Sequence, residues 1–211
     1  MEHIFVYGPP GSGKSTLGIQ LAESLTLPFY DLDAIIEEQA GTPIPEIFEA
    51  DGEPVFRERE RKALTQVIRM QPGVTALGGG ALLDEGNRAM VETAGPVLCL
   101  MASFDTLLAR SSAQYGQRPL LQGDMASRLE TLLSQRSAHY GSFERELDTE
   151  EVSLDHAVWT AQVRLGRFHV SGMGTGYDVQ VAPGGLQHLG EALAARGLNG
   201  PVALVSDSNV A

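Results

Sequence analysis

One cysteine, two lysines and a shortage of positive charge mark this sequence by what it does not contain. Cys99 has no second thiol to pair with, which excludes a disulfide framework and a thiolate metal centre. It lies inside the apolar run "PVLCLMAS" and reads as a small buried hydrophobe suited to a reducing cytoplasm. Against 27 acidic residues stand 15 lysines and arginines, a formal charge of -12 with a pI near 4.8. No broad basic face is available, so nucleic acid and anionic membrane are excluded as partners, and any anionic ligand must be held by locally clustered cations. The start "MEHIFVYG" lacks the basic segment and apolar stretch of an export signal, and no run approaches the ~18 apolar residues of a membrane span. A soluble cytoplasmic protein is expected.

What is present is enough for one good core with some chain to spare: 211 residues, 43% of them hydrophobic. "HIFVYG" reads as a buried strand entering a glycine turn. Leu17, Leu21 and Leu25 then repeat every four residues, the mark of an amphipathic helix. Further short strands are expected at "PFYDL", "VTAL" and "PVLCLM", with helical patterns between them. Apolar strands separated by helices imply an α/β fold with a central parallel sheet covered on both faces. Phe56, Leu64, Val67 and Ile68 give one face to a helix beginning near "DGEP", and Leu129, Leu132, Leu133 and Tyr140 give one to another. Between Ser111 and Asp124 the periodicity fades, and a loop of that length in an α/β unit reads as a mobile lid. A last helix is expected around "EEVSLDHAVWTAQVRL". The glycines of "GRFHVSGMGTG" then read as a linker over 166–176, and alternation restarts at "YDVQVAP".

"GPPGSGKST" sits between the first strand and the first helix, where a P-loop belongs. Gly8, Gly11 and Gly13 let backbone N–H groups close on phosphate oxygens, with the helix N-terminus adding its partial positive charge. Gly11, Ser12, Gly13, Lys14, Ser15 and Thr16 are the expected nucleotide contacts. Lys14 would bridge the β- and γ-phosphates, and the Ser15 hydroxyl would ligate Mg²⁺. Such a loop establishes nucleotide binding without naming an acceptor. Neither lysine lies in a guanine-reading Asn/Thr-Lys-x-Asp, so the acceptor must be sought among the acids and arginines that follow.

Asp31 and Asp33 in "FYDLDAII" are two apart, and strand spacing would turn both toward the phosphate loop, one for Mg²⁺ and the other as a base for an acceptor hydroxyl. The plainer alternative makes Asp33 a helix cap. In "FRERERK", Arg59 and Arg61 read as a solvated face and Glu58 pairs with Lys62, while Arg57 beside apolar Phe56 is a candidate inward cation. Arg118 and Arg136 are ambiguous in isolation. "GGG", Gly78 to Gly80, ends a strand and is either a tight turn or a close backbone approach to a ligand.

Taken in order, "GPPGSGKST", "FYDLD", "IPEIFEADGEPVFRERE", "LGGG", "RPLL" and "RSAHY" resemble shikimate kinase over roughly residues 1–165. The resemblance implies a nucleoside-monophosphate-kinase-like P-loop fold and transfer of the ATP γ-phosphate to the 3-hydroxyl of shikimate. It implies Asp33 as base, Asp31 in the Mg²⁺ shell, and Arg57 and Arg136 on the substrate carboxylate. It further implies Gly79 and Gly80 as backbone contacts, Arg118 on the phosphates and Arg110 near the adenine. The sequence departs from the family after Thr149, where "EEVSL" lacks an arginine that many members carry. Another small-molecule P-loop kinase, of gluconate or nucleoside-monophosphate type, and a non-catalytic nucleotide-binding module remain as alternatives.

Residues 177–211 resemble the beginning of 3-dehydroquinate synthase, a family dependent on NAD and a divalent metal, in which Asp207 and Asn209 would lie beside the NAD. An ordinary polar turn at "SDSN" is the competing reading. The resemblance implies the front portion of a two-enzyme fusion, with no synthase activity expected from these residues.

Overall fold

The computed structural model describes residues 2–113, 125–172, 176–181, 187, 189–195, 197 and 200–201. The first strand, β1 (Ile4–Tyr7), runs into the phosphate loop and α1 (Lys14–Ser24). Next come β2 (Phe29–Asp31), α2 (Leu32–Ala40), α3 (Ile44–Ala50) and α4 (Gly52–Arg69), then β3 (Val74–Ala76), α5 (Glu85–Ala94) and β4 (Val97–Met101). The unit closes with α6 (Phe104–Ala113), α7 (Met125–Tyr140), β5 (Arg145–Asp148) and α8 (Leu154–Leu165).

The five strands form one parallel sheet in the order β2-β3-β1-β4-β5, with Phe5 opposite Thr75 on one side and Val97 on the other. Alternation along the central strands assigns each side chain to a face. Phe5, Tyr7, Val97 and Cys99 join the core under α2, α4, α5 and α7. Ile4, Val6, Leu98 and Leu100 join the core under α1 and α8, where Leu17, Leu21, Ala157 and Ala161 meet them. Each fully buried aliphatic side chain of this kind contributes about 1.5–3 kcal/mol relative to exposure. The four expected strands and the long helices follow the sequence pattern. β5 does not, because "RELD" is an edge strand whose only buried residue is Leu147.

Three expectations change. α6 extends through Ala113, so residues 111–113 are helical where a loop was expected. Ser111 is buried at 1% exposure, the inward turn of a helix whose polar sequence disguises its period. The remaining lid residues, 114–124 with Arg118, lie outside the described residues. Second, β2 ends at Asp31, so Asp33 stands in the first turn of α2 and the pair does not share a strand. Third, within the expected linker, β6 (Arg167–Val170) pairs antiparallel with β7 (Tyr177–Gln180). The strand pair is tied back to the parallel-sheet unit. Arg167 donates to the Glu2 carboxylate at 2.8 Å, and Trp159 on α8 packs its ring against Phe168. A short helix, α9 (Leu189–Ala195), follows. Asp207 and Asn209 lie outside the described residues. Among the described residues no helix is long and apolar enough to cross a membrane.

Candidate active site

The carboxyl ends of β1, β2 and β3 lie side by side and open into one crevice, where α/β sheets place ligands. From β1 comes the phosphate loop. Gly8, Gly11 and Gly13 take φ values of 138°, 80° and 90°, which a side chain would strain. At Gly8 a Cβ would also stand 2.3 Å from the Leu100 carbonyl oxygen, and at Gly11 it would stand 2.6 Å from that of Leu107. The loop is therefore pressed against β4 and α6, with Ser12 buried between them. Gly13 precedes α1 without a side-chain cap, so the first-turn amides of Lys14, Ser15 and Thr16 face the loop's concavity. Lys14 Nζ donates to the carbonyls of Gly8 and Pro9 at 3.0 and 2.9 Å, which holds the ammonium over the loop mouth.

From β2 comes Asp31, which does two things. Its Oδ1 accepts from the amides of Asp33 and Ala34 and caps α2, while its Oδ2 accepts from Ser15 Oγ at 2.9 Å. The cap is thus Asp31, and Asp33 is left exposed at the crevice, its Oδ1 about where a side chain on Gly78 would reach, 3.0 Å from a Cβ built there. Ser15 Oγ and Asp31 Oδ2 are hard oxygen donors on an exposed rim, and one or two such groups suit Mg²⁺, which keeps much of its water. No larger cluster of metal-binding side chains occurs among the described residues.

From β3 come Gly78, Gly79 and Gly80, the floor of the crevice. A Cβ on Gly80 would lie 3.0 and 3.2 Å from Arg57 Nη2 and Nη1 and 3.5 Å from Arg136 Nη1. Two guanidinium groups, one from α4 and one from α7, therefore converge over a glycine that makes room for them. Gly79 abuts the phosphate loop, 3.1 Å from the Gly8 carbonyl oxygen by the same measure, so the cationic floor and the phosphate site are adjacent. The Gly79 carbonyl is turned into the protein, where it accepts from Tyr140 at 2.8 Å, Tyr7 at 3.1 Å and Arg136 at 3.3 Å.

Glu60 is given no role by the motifs that contain it. It is 1% exposed and holds Arg57 Nη1 at 2.9 Å, while Glu53 holds Nη2 at 2.9 Å. Burial raises the Glu60 carboxyl above its ordinary pKa, and Arg57 partly opposes this. For Arg57, burial works against the charge, but Glu60 and Glu53 more than offset it. Its helical spacing could have exposed Glu60, because it falls in the stripe Phe56, Glu60, Ala63, Leu64, Val67 that α4 buries. Tyr7 and His139 were missed as well. Only packing brings them together, at 3.2 Å from the phenol oxygen to Nε2.

Arg110 donates to the Thr149 hydroxyl and carbonyl at 3.0 and 2.8 Å, and that hydroxyl lies 3.3 Å from the Ser12 carbonyl. It thus braces the loop after β5 against the back of the phosphate loop. Next to it, Glu150 accepts from Ser103 N–H and Oγ at 3.0 and 2.5 Å and from Thr106, which closes the start of α6; these bonds lower its pKa. Arg61 stays exposed on α4 and Glu58 pairs with Lys62 at 2.6 Å, as the solvated-face reading requires, whereas Arg59 is half-buried with its Nε covered and pairs with Asp51 at 3.4 Å. Cys99 is fully buried, and burial pushes its thiol up to about 12.

Comparison with known proteins agrees with this layout. Residues 10–163 match the family model for shikimate kinase. The shikimate kinase of Salinibacter ruber is 41% identical over 156 residues, 70% of this chain and 76% of that protein. That of Stenotrophomonas maltophilia is 40% identical over 159 residues, 75% and 85% of the two chains. Among solved structures, shikimate kinase from Acinetobacter baumannii in complex with shikimate superposes with a TM-score of 0.72 at 34% identity, covering 77% of this chain and 92% of the other. The match begins inside the phosphate loop and ends in α8, taking in β2 to β5 of the sheet, and the chain belongs to the shikimate kinase family.

Proposed function

We propose that this protein transfers the γ-phosphoryl group of ATP to the 3-hydroxyl of shikimate, giving ADP and 3-phosphoshikimate. The observation that carries the reading is the convergence of Arg57 and Arg136 on Gly80, directly beside the phosphate loop. Paired guanidiniums in a partly buried cleft suit a carboxylate-bearing acceptor, since each planar fork offers two parallel donors, and hydrogen bonds to charged groups are worth about 1.5–3 kcal/mol. An acceptor anchored there by its carboxylate would have its hydroxyls toward Asp33, beside Gly78, and the phosphate loop, beside Gly79.

The loop amides and Lys14 would hold the β- and γ-phosphates, with Lys14 leaving its present carbonyl partners. Ser15 Oγ and Asp31 Oδ2 would hold Mg²⁺, which when bound neutralises phosphate charge. Asp33 orients the acceptor hydroxyl and takes its proton as the phosphoryl group passes over. Arg118 carries over from the family resemblance as the lid's phosphate contact, and Arg110 supports the adenine side through Thr149.

The test is ADP release with Mg²⁺–ATP in the presence of shikimate, gluconate, AMP or no acceptor. Release that depends on shikimate alone is expected. Release with gluconate or AMP instead would overturn the assignment, and ATP binding without turnover would favour a regulatory module.

We propose in addition that residues 177–211 open a 3-dehydroquinate synthase-like unit. The reading is supported by the renewed alternation of β7 beyond the family match, which stops at residue 163. NAD and a divalent metal would belong to that unit. Dehydroquinate formation by the 211-residue protein would refute the expectation that these residues lack synthase activity.

A further inference from the structure

The Gly79 carbonyl has three protein donors within reach and only two lone pairs. Tyr140 makes the shortest bond, at 2.8 Å, and Arg136 the longest, at 3.3 Å. The third donor, Tyr7, is fully buried and has a second choice, because its single hydroxyl proton can go to Gly79 O at 3.1 Å or to His139 Nε2 at 3.2 Å. The rings leave the two little freedom. Tyr7 packs against Tyr140 and Phe143, and His139 stands edge-on to Tyr7 and Phe143.

The geometry assigns to Tyr7 and His139 a positioning role: neutral His139 draws the Tyr7 proton away from Gly79, leaving that carbonyl to Tyr140 and Arg136 and so aligning Arg136 for the acceptor carboxylate. This rests on the proposed carboxylate-binding role of Arg136. Once Nε2 carries a proton it must donate to the Tyr7 oxygen. The phenol then turns its own proton onto Gly79 O, and Arg136, holding the longest bond, is displaced.

The groups facing His139 favour the neutral form. Burial, then the charges of Arg88 on α5 and Arg136 on α7, hold the imidazole below its ordinary value. Burial raises the Tyr7 and Tyr140 phenols and the Cys99 thiol on β4, so none of these titrates near neutrality. Glu60 on α4, which acts on Tyr7 at longer range and whose carboxyl burial raises, is common to every variant below.

The test compares the unchanged protein with His139→Gln, which cannot be protonated, and Tyr7→Phe, which cuts the relay while keeping the ring. Between about pH 7.5 and about pH 5.5 the shikimate KM of the unchanged protein should rise about threefold more than that of either variant, with the ATP KM following one course in all three. In the substrate-free protein, ¹⁵N NMR at about pH 8 should show His139 with Nε2 unprotonated, a signal that moves in Tyr7→Phe. An equal acid rise of KM in His139→Gln, or a protonated Nε2 at that pH, overturns the assignment. If shikimate supports no ADP release in the unchanged protein, the functional proposal fails, and the NMR tautomer still decides the relay.

Discussion

Arg57 reaches Glu60 at 2.9 Å from a helix that buries the glutamate almost completely and leaves the guanidinium a third exposed. The acid is the fixed member of the pair. It sets where Arg57 points, three residues earlier on the same helix and over the Gly80 floor. Glu60→Gln should keep the packing but loosen that hold, raising the shikimate KM about tenfold with a smaller change in kcat. Glu60→Ala should also lower unfolding stability by about 2 kcal/mol, less than for a fully buried pair because Arg57 keeps Glu53 and some solvent. Steady-state kinetics and urea unfolding read the two effects separately.

Asp33→Asn should lower turnover by about two powers of ten or more, since it removes a positioned base while preserving shape. Near-normal turnover in ADP-release assays would take Asp33 out of that role.

Asp31 is predicted to divide its work by oxygen atom. Asparagine can still cap α2, so Asp31→Asn should unfold within about 0.5 kcal/mol of the unchanged protein while needing about tenfold more Mg²⁺ for half-maximal rate. Asp31→Ala should lose the Mg²⁺ contact and about 1 kcal/mol of cap as well. Equal thermal stability of the two variants would contradict the cap assignment.

Two glycines should respond differently to alanine. At Gly80 the new methyl meets the ends of the Arg57 and Arg136 side chains, which can swing aside, so the protein should fold normally and lose shikimate affinity by about tenfold. At Gly8 the methyl meets the Leu100 carbonyl at 2.3 Å on a backbone with φ of 138°. That contact cannot yield without moving β4, and Gly8→Ala should cost about 2 kcal/mol or more and abolish ATP binding. Nucleotide titration and calorimetry distinguish the outcomes.

His3 is 4% exposed and stacks on Phe5, and burial lowers its pKa below 6.5, opposed in part by the Ile68 and Met70 backbone. The unfolded chain therefore binds more protons than the folded one as the pH falls through this range. The stability associated with a neutral His3 is complete above about pH 6.5 and is lost on acidification. Glu60, with its raised pKa, slopes the other way, contributing most on the acid side and less as the pH climbs past about 4.5. His3→Phe should shrink the stability difference between about pH 7.5 and about pH 5.5, measured by urea unfolding. An unchanged difference would show that His3 is not the group responsible.

Much of the layout is legible in one dimension. The phosphate loop is a local structure, fixed by glycine backbone freedom and by the strand and helix on either side, so nine consecutive residues suffice to place it. The long helices declare themselves by apolar spacing, and so do the buried strands. β5 stays hidden because an edge strand needs few apolar residues. In the 166–176 stretch the glycines suggest a linker, and the pairing of Arg167–Val170 with Tyr177–Gln180 is a longer-range relationship that they do not announce.

The sequence by itself determined the phosphate loop, the parallel α/β architecture and the pairing of Glu58 with Lys62, all set by neighbours within a few residues. Only the tertiary structure decided that Arg57 and Arg136 meet over Gly80. That relationship joins α4, β3 and α7 across the sheet. Apolar spacing can show which face of a helix a charged residue occupies, as for Glu60, but not which side chains of other elements it meets; packing fixes that.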